Sequence, residues 1–259
     1  MRYFDSHCHL NDDALLAHID EVISDAKSAG VDAIVCIGYD IASSKKAIEL
    51  SHAYPDVYAA VGLHPENLEG LTLDAVDEIR KLAQDEKVVA IGEIGLDYYW
   101  YKDPETRERQ KPFFAAQLEL ANELNLPVSI HAREATQDTY EILKAHPLKR
   151  SGVLHCYSGS VESLKEFAKL GFYFGFDGPI TYKNALTPKE CVKACPLNRL
   201  LTETDSPYLT PVPFRGKENG PKYITYIVAE MAKIRETDEA ELSEILWNNF
   251  QELFRVKHE

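Results

Sequence analysis

Residues 87–96 read KVVAIGEIGL, an apolar, β-branched run broken near its end by a single carboxylate, Glu93. Such a run is too short to cross a membrane and shows no helical spacing of its polar positions. It reads as a strand buried on both faces of a parallel sheet. Seven further runs share this character: RYFDSH (2–7), VDAIVCIG (31–38), DVYAAVGLH (56–64), LPVSIHA (126–132), GVLHCY (152–157), FYFGFDG (172–178) and RLLTETD (199–205). Between them lie stretches with helical spacing: LLAHIDEVISDAKSAG, SSKKAIELSHAY, LDAVDEIRKLAQDE, RERQKPFFAAQLELANELN, ATQDTYEILKAH, SVESLKEFAKLG and PKECVKAC. Eight strand–helix units of roughly 30 residues predict a single (β/α)8 TIM barrel, with residues 1–259 as one domain. Gly30 and Gly171 fall where helices should end. YITYIVAEMAKIR and ELSEILWNNFQELF follow as two closing helices. An open doubly wound sheet is the alternative; eight units, with polar residues on so many strand ends, favour closure.

Composition narrows the function. No stretch approaches 18 consecutive apolar residues, and the first twenty residues lack the basic start and apolar block of a signal peptide, so the expectation is a cytoplasmic protein without membrane contact. Five cysteines in so long a chain do not suggest a disulfide framework, and Cys191 and Cys195, spaced by four, have no histidine pattern beside them for zinc. The net charge is -14. A protein that tracks long nucleic acid needs a basic stripe to neutralise phosphates, and none is present. Contact with nucleic acid would have to be short and centred on bound cations. Nothing indicates an obligate protein partner.

The chemistry of such a barrel sits at the carboxyl ends of its strands. There the sequence places His7-Cys8-His9, His64, Glu93, His131, His155 and the pair Glu203 and Asp205. Five of the nine histidines are at strand ends; His18, His52, His146 and His258 lie elsewhere. One strand-end histidine alone is more often a hydrogen-bonded structural residue, and one carboxylate a capping or ion-pairing group. Convergence changes the reading, because a ring of strands brings these ends over one mouth. In HCH, alternate side chains share a side of the strand, so His7 and His9 can face the axis while Cys8 points away. Imidazole with carboxylate suits zinc, manganese, iron or cobalt better than the calcium or magnesium of an all-oxygen cage. His7, His9, Glu93, His131, His155 and Asp205 are too many for one catalytic ion with an open position, but suit two ions, with Glu93 the natural bridge.

YFDSHCHL, VGLHP, IGEIGLDYY, PVSIHAR, VLHCYSG and LLTETDSPYL, in this order and spacing, closely resemble the TatD family of metal-dependent hydrolases, within the amidohydrolase-like barrel superfamily. The resemblance implies a TIM barrel with two divalent ions (zinc, manganese or magnesium), sometimes three, and deoxyribonuclease activity. It assigns His7, His9, Glu93 and Asp205 to one ion, and Glu93, His131 and His155 to the other. GFDGPITYK, after the seventh strand, departs from the SGxxTFK more usual there.

The expected reaction is phosphodiester hydrolysis by water activated between the ions, with Asp205 orienting that water or taking its proton and Glu93 shared by both ions. His64 and Arg133 are assigned to substrate phosphate; the alternative for Arg133 is a salt bridge to a carboxylate. The run Tyr98-Tyr99-Trp100-Tyr101 could stack on unpaired bases or form a packed lid. Arg215 and Lys217 are a basic pair in the loop after the eighth strand. The expected partner is a nucleic-acid end, single-stranded DNA above all. An amide or ester hydrolase, such as an aminoacyl-tRNA deacylase, would use the same ions on a carbonyl. A structural metal site in a binding protein is the third reading.

Overall fold

The computed structural model describes residues 1–256. Its eight strands are β1 (Tyr3–Cys8), β2 (Val31–Ile37), β3 (Val57–Val61), β4 (Val88–Asp97), β5 (Val128–Arg133), β6 (Gly152–Leu154), β7 (Tyr173–Phe176) and β8 (Leu200–Thr202). They form one sheet in sequence order, and each hydrogen-bonded neighbour pair from β1 to β8 is parallel. The ends of this sheet meet at the mouth: Asp205 N donates to His7 O (2.9 Å) and His9 N to Ser206 O (2.8 Å). The fold is a (β/α)8 barrel, as the run of eight apolar segments requires.

Among the described residues ten α-helices surround it: α1 (Asp13–Leu16), α2 (Ile19–Ser28), α3 (Ile41–Ala53), α4 (Ala75–Leu82), α5 (Pro104–Leu124), α6 (Thr136–Ala145), α7 (Val161–Lys169), α8 (Leu186–Ala194), α9 (Ile224–Arg235) and α10 (Glu239–Phe254). Gly30 and Gly171 follow α2 and α7 with φ of 85° and 89°, the left-handed step that glycine makes without a Cβ penalty. Helix α10 packs against β8 and β1, the two edge strands of the sheet, where Phe250 stacks on Phe4 of β1 with ring centroids 4.4 Å apart. Both rings are fully buried, and burial of such a side chain contributes about 1.5–3 kcal/mol.

Two helices differ from their sequence pattern. The stretch predicted as one helix after β1 is two, broken at Ala17-His18, where Asp12 caps α1 and His18 turns outward to pair with Glu218 at 2.9 Å. Helix α5 starts earlier than its apolar spacing suggests, because Asp103 accepts from Thr106 N and Pro104 supplies a pre-set first turn. Among the described residues no helix is long and apolar enough to cross a membrane.

Candidate metal centre

Glu93 lies inside β4, four residues before its end, where the β4–β5 register slips between Ile91 and Ile94. A register slip of this kind re-aims a side chain, and here it accompanies Glu93 facing the mouth. Its two oxygens face different groups. Oε2 lies 3.4 Å from His7 Nε2 and 3.8 Å from His9 Nε2. Oε1 lies 2.7 Å from His155 Nε2, 3.1 Å from His131 Nδ1 and 3.2 Å from His64 Nε2. Asp205 Oδ1 completes the first group, 3.7 Å from His7 Nε2 and 3.4 Å from His9 Nε2. Asp205 projects from a left-handed turn (φ 54°) just beyond β8, a conformation aspartate tolerates better than most residues.

These separations fit a cation. Two donors each about 2.1 Å from one ion lie about 3.4 Å apart at the tetrahedral angle. His7 Nε2 is wholly buried and has no hydrogen-bond partner, an orphan atom aimed between Glu93 and Asp205. A buried nitrogen left in this state is costly unless something else binds it. Potential ligand atoms cluster in three overlapping groups: His7, His9 and Asp205; His7, Glu93 and His155; and His64, Glu93 and His131. His7 and His155 touch both sides, their rings stacked 3.8 Å apart.

The outer nitrogens of His7, His9 and His131 are held as metal-ligating imidazoles require, whereas His155 Nδ1 is buried without a hydrogen-bond partner. His7 Nδ1 meets Ser129 Oγ at 3.1 Å, and His9 Nδ1 meets the Ile37 carbonyl at 3.2 Å. His131 is turned the other way: Nε2 meets Asp97 Oδ2 at 2.8 Å, which leaves Nδ1 for the centre. Gly95 makes that approach possible, since a Cβ there would fall 2.0 Å from the His131 carbonyl, and its φ of 138° excludes other residues. His64 differs in kind. Its Nδ1 accepts from Glu66 N–H (3.2 Å), so the neutral ring carries its proton on Nε2 and offers the centre a donor instead of a lone pair. That tautomer suits an oxyanion better than an ion.

Burial and charge sort the ionisable groups. Burial alone would raise the Glu93 carboxyl, but His155, His64 and His131 hold it well below the usual carboxylate range. Burial also opposes ionisation of Asp205, and His9 and His7 overcome it. Burial, with His155 beside it, pushes His7 down to about 3. His9 goes up to about 9 because Asp205 outweighs the burial that would lower it, and Asp97 and Glu93 raise His131 likewise to about 9. Behind this layer, burial raises Asp5 to about 7, Asp177 to about 8 and Glu203 well above its usual value. Glu203 is fitted against β7 at Gly175, where a Cβ would fall 2.1 Å from its Oε2, and it accepts from Cys156 N.

The mouth opens into a cleft of about 830 Å³, bordered by His9, His64, Glu93, Arg133 and Trp100 among others. This size is within the ~300–1,000 Å³ typical of ligand sites. Arg133 is exposed and forms no salt bridge among the described residues; its guanidinium lies 3.8 Å from the Tyr99 ring centroid. Arg215 and Lys217 lie over Tyr182 and Phe214 and do not line the cleft. Cys8 is buried and joins none of the three groups; Cys191 and Cys195 are buried free thiols. His18, His52 and His146 each pair with a carboxylate away from the centre, and His258 lies outside the described residues.

A family model described as TatD related DNase matches residues 4–255. The chain belongs to the TatD family. It is 44% identical over 254 residues to the uncharacterized metal-dependent hydrolase YabD of Bacillus subtilis, covering 98% of this chain and 99% of that one. It is 37% identical to the uncharacterized metal-dependent hydrolase YcfH of Escherichia coli, covering 97% and 95%. The solved structure of YjjV, a TatD homologue from Escherichia coli, superposes with a TM-score of 0.93 at 32% identity, covering 99% of both chains. Membership and donor groups together make the chain a metal-dependent hydrolase. In this TatD family protein, sequence reasoning missed Asp97 and Ser129 as partners of His131 and His7, and it placed Glu203 at the mouth without its role as acceptor from the Cys156 amide. Asp97 ends an apolar strand, the one sequence signal that could have marked it.

Proposed function

We propose that this chain is a deoxyribonuclease that hydrolyses phosphodiesters at DNA ends, in which His7, His9, Glu93, His131, His155 and Asp205 would hold two divalent ions. The observation that carries this reading is the division of one carboxylate, Oε2 toward His7, His9 and Asp205, and Oε1 toward His131 and His155. When bound, such ions supply an activated water and polarise a phosphoryl oxygen. The protein does the rest. Asp205, held ionised beside His9, is placed to accept a proton from the attacking water. His64 offers its Nε2–H, and Arg133 its free donor edge, to the phosphate oxygens. The charge of -14 favours engagement of a few nucleotides at an end over tracking of a duplex. All five cysteines are free thiols, which supports a cytoplasmic setting.

Metal-loaded protein should release mononucleotides from end-labelled single-stranded DNA, and Glu93→Ala should abolish the release. Absence of release with zinc, manganese and magnesium alike would overturn the nuclease reading. Hydrolysis of aminoacyl-tRNA instead, in a parallel assay, would favour attack on a carbonyl.

A further inference from the structure

The four aromatic residues after β4 do not share a role. Tyr98 is buried, and its hydroxyl donates to Asp138 at 2.6 Å. Tyr101 donates to the Glu66 carbonyl at 3.1 Å, and Arg107 ties down the carbonyls of both Tyr98 and Tyr101. Tyr99 lies under the Arg133 guanidinium and edge-on to Trp100, with ring centroids 4.8 Å apart. Tyr98 and Tyr101 are tied down by hydrogen bonds, and Tyr99 is covered on one face by Arg133. Trp100 is the most exposed of the four, at 62%, lies 5.5 Å from the Arg133 guanidinium, and borders the cleft with Arg133 and His64.

Its backbone is registered to the metal centre through one carboxylate. Asp97 Oδ2 holds His131 Nε2, while Oδ1 accepts from Tyr99 N (2.9 Å) and Trp100 N (2.8 Å). The loop therefore cannot shift without disturbing the imidazole that faces Glu93. Exposing so large an apolar ring on a rigid, anchored loop beside a cleft suits a flat partner that would cover it.

We infer that Trp100 is a stacking platform for an unpaired base next to the scissile phosphate, with Arg133, clamped flat on Tyr99, binding that phosphate's oxygens. This inference rests on the nuclease reading and specifies its substrate: a nucleotide whose base has left the duplex stack. The indole accepts any base face, so the site would prefer bases to no base without reading sequence.

The test uses zinc-loaded protein and two small probes that differ only by a base, 2′-deoxyadenosine 5′-monophosphate and 2-deoxyribose 5-phosphate. The nucleotide should bind roughly 5- to 150-fold more tightly, the range expected for one stacked base. Trp100→Ala should bring the ratio close to one; Trp100→Phe should keep most of it. The chain has two tryptophans and Trp247 is buried, so the nucleotide should quench emission in the wild type and not in Trp100→Phe. Equal binding of the two probes, or a preference that survives in Trp100→Ala, would overturn the proposal. Base-dependent binding without cleavage of DNA would leave the platform standing and remove the nuclease reading. Cleavage with a ratio of one would do the opposite.

Discussion

The two sides of Glu93 are built differently. The side that Oε2 faces is made at the seam of the barrel, from β1 and the turn after β8, and its histidines are backed by a serine hydroxyl and a backbone carbonyl. The side that Oε1 faces is made from β4, β5 and β6, and its His131 is backed by a carboxylate that also anchors the aromatic loop. The seam side supplies Asp205, the carboxylate proposed as proton acceptor, and meets the cleft through His9 and Asp205. The other is tied to Arg133 and Trp100, which border the open cleft. On the proposed two-ion reading, the carboxylate shared by both sides would join a half suited to activating water to a half suited to meeting substrate.

Removing the bridge should have the largest effect. Glu93→Ala deletes the donor common to both sides, so phosphodiester hydrolysis should fall by roughly a thousandfold or more, with metal content by elemental analysis falling on both sides. A variant that retains its full metal content would break the comparison. Asp205→Asn keeps shape but loses the ionised oxygen, and should cost about 10²–10⁴ in kcat; a steady-state assay with KM little changed would fit, and an unchanged kcat would remove Asp205 from proton transfer. His7→Ala with His9→Ala should lower metal content on the seam side alone, while Cys8→Ala should leave it intact.

Asp97→Asn sharpens the other side. It should weaken metal binding by about 10–100-fold, read by competition with a chromophoric chelator, because His131 loses the partner that orients it. Ser129→Ala should do less, since a neutral hydroxyl contributes less than a carboxylate.

The smallest effect is in stability against pH. In metal-free protein His9 and His131 are held up to about 9. A histidine raised in the folded state adds stability fully present below its unfolded value of about 6.5 and lost as pH rises through 9. Asp5 and Asp177, raised to about 7 and about 8, act in the same direction, since the folded state binds protons the unfolded chain has released. With chelator present, Tm should therefore fall between pH 6.5 and 9. Stabilisation by added zinc should grow over that interval, because the ion needs those nitrogens unprotonated. A chelated protein whose Tm rises with pH would contradict these assignments.

The barrel was legible because eight runs such as VDAIVCIG and KVVAIGEIGL are apolar on both faces, and only a sheet covered by helices buries both. The centre was legible because strand-end imidazoles and carboxylates interrupt those runs at one end. What lay hidden depends on direction and not on residue type. Nothing in IGEIGLD reveals that the register slips at Glu93, or that Asp97 turns back onto His131. YYWY reads as four similar aromatics, and only the hydrogen bonds of Tyr98, Tyr101 and Arg107 leave Trp100 apart from the rest. His64 already stood apart from the ligands in the sequence; the Glu66 amide adds the physical reason, by fixing its tautomer.

The bridging role of Glu93 is tested most directly by anomalous diffraction from crystals grown with zinc. Two peaks are expected, one on each side of the carboxylate and each about 2.0–2.2 Å from a different Glu93 oxygen. One peak, or two peaks sharing a single oxygen while the other stays free, would contradict it.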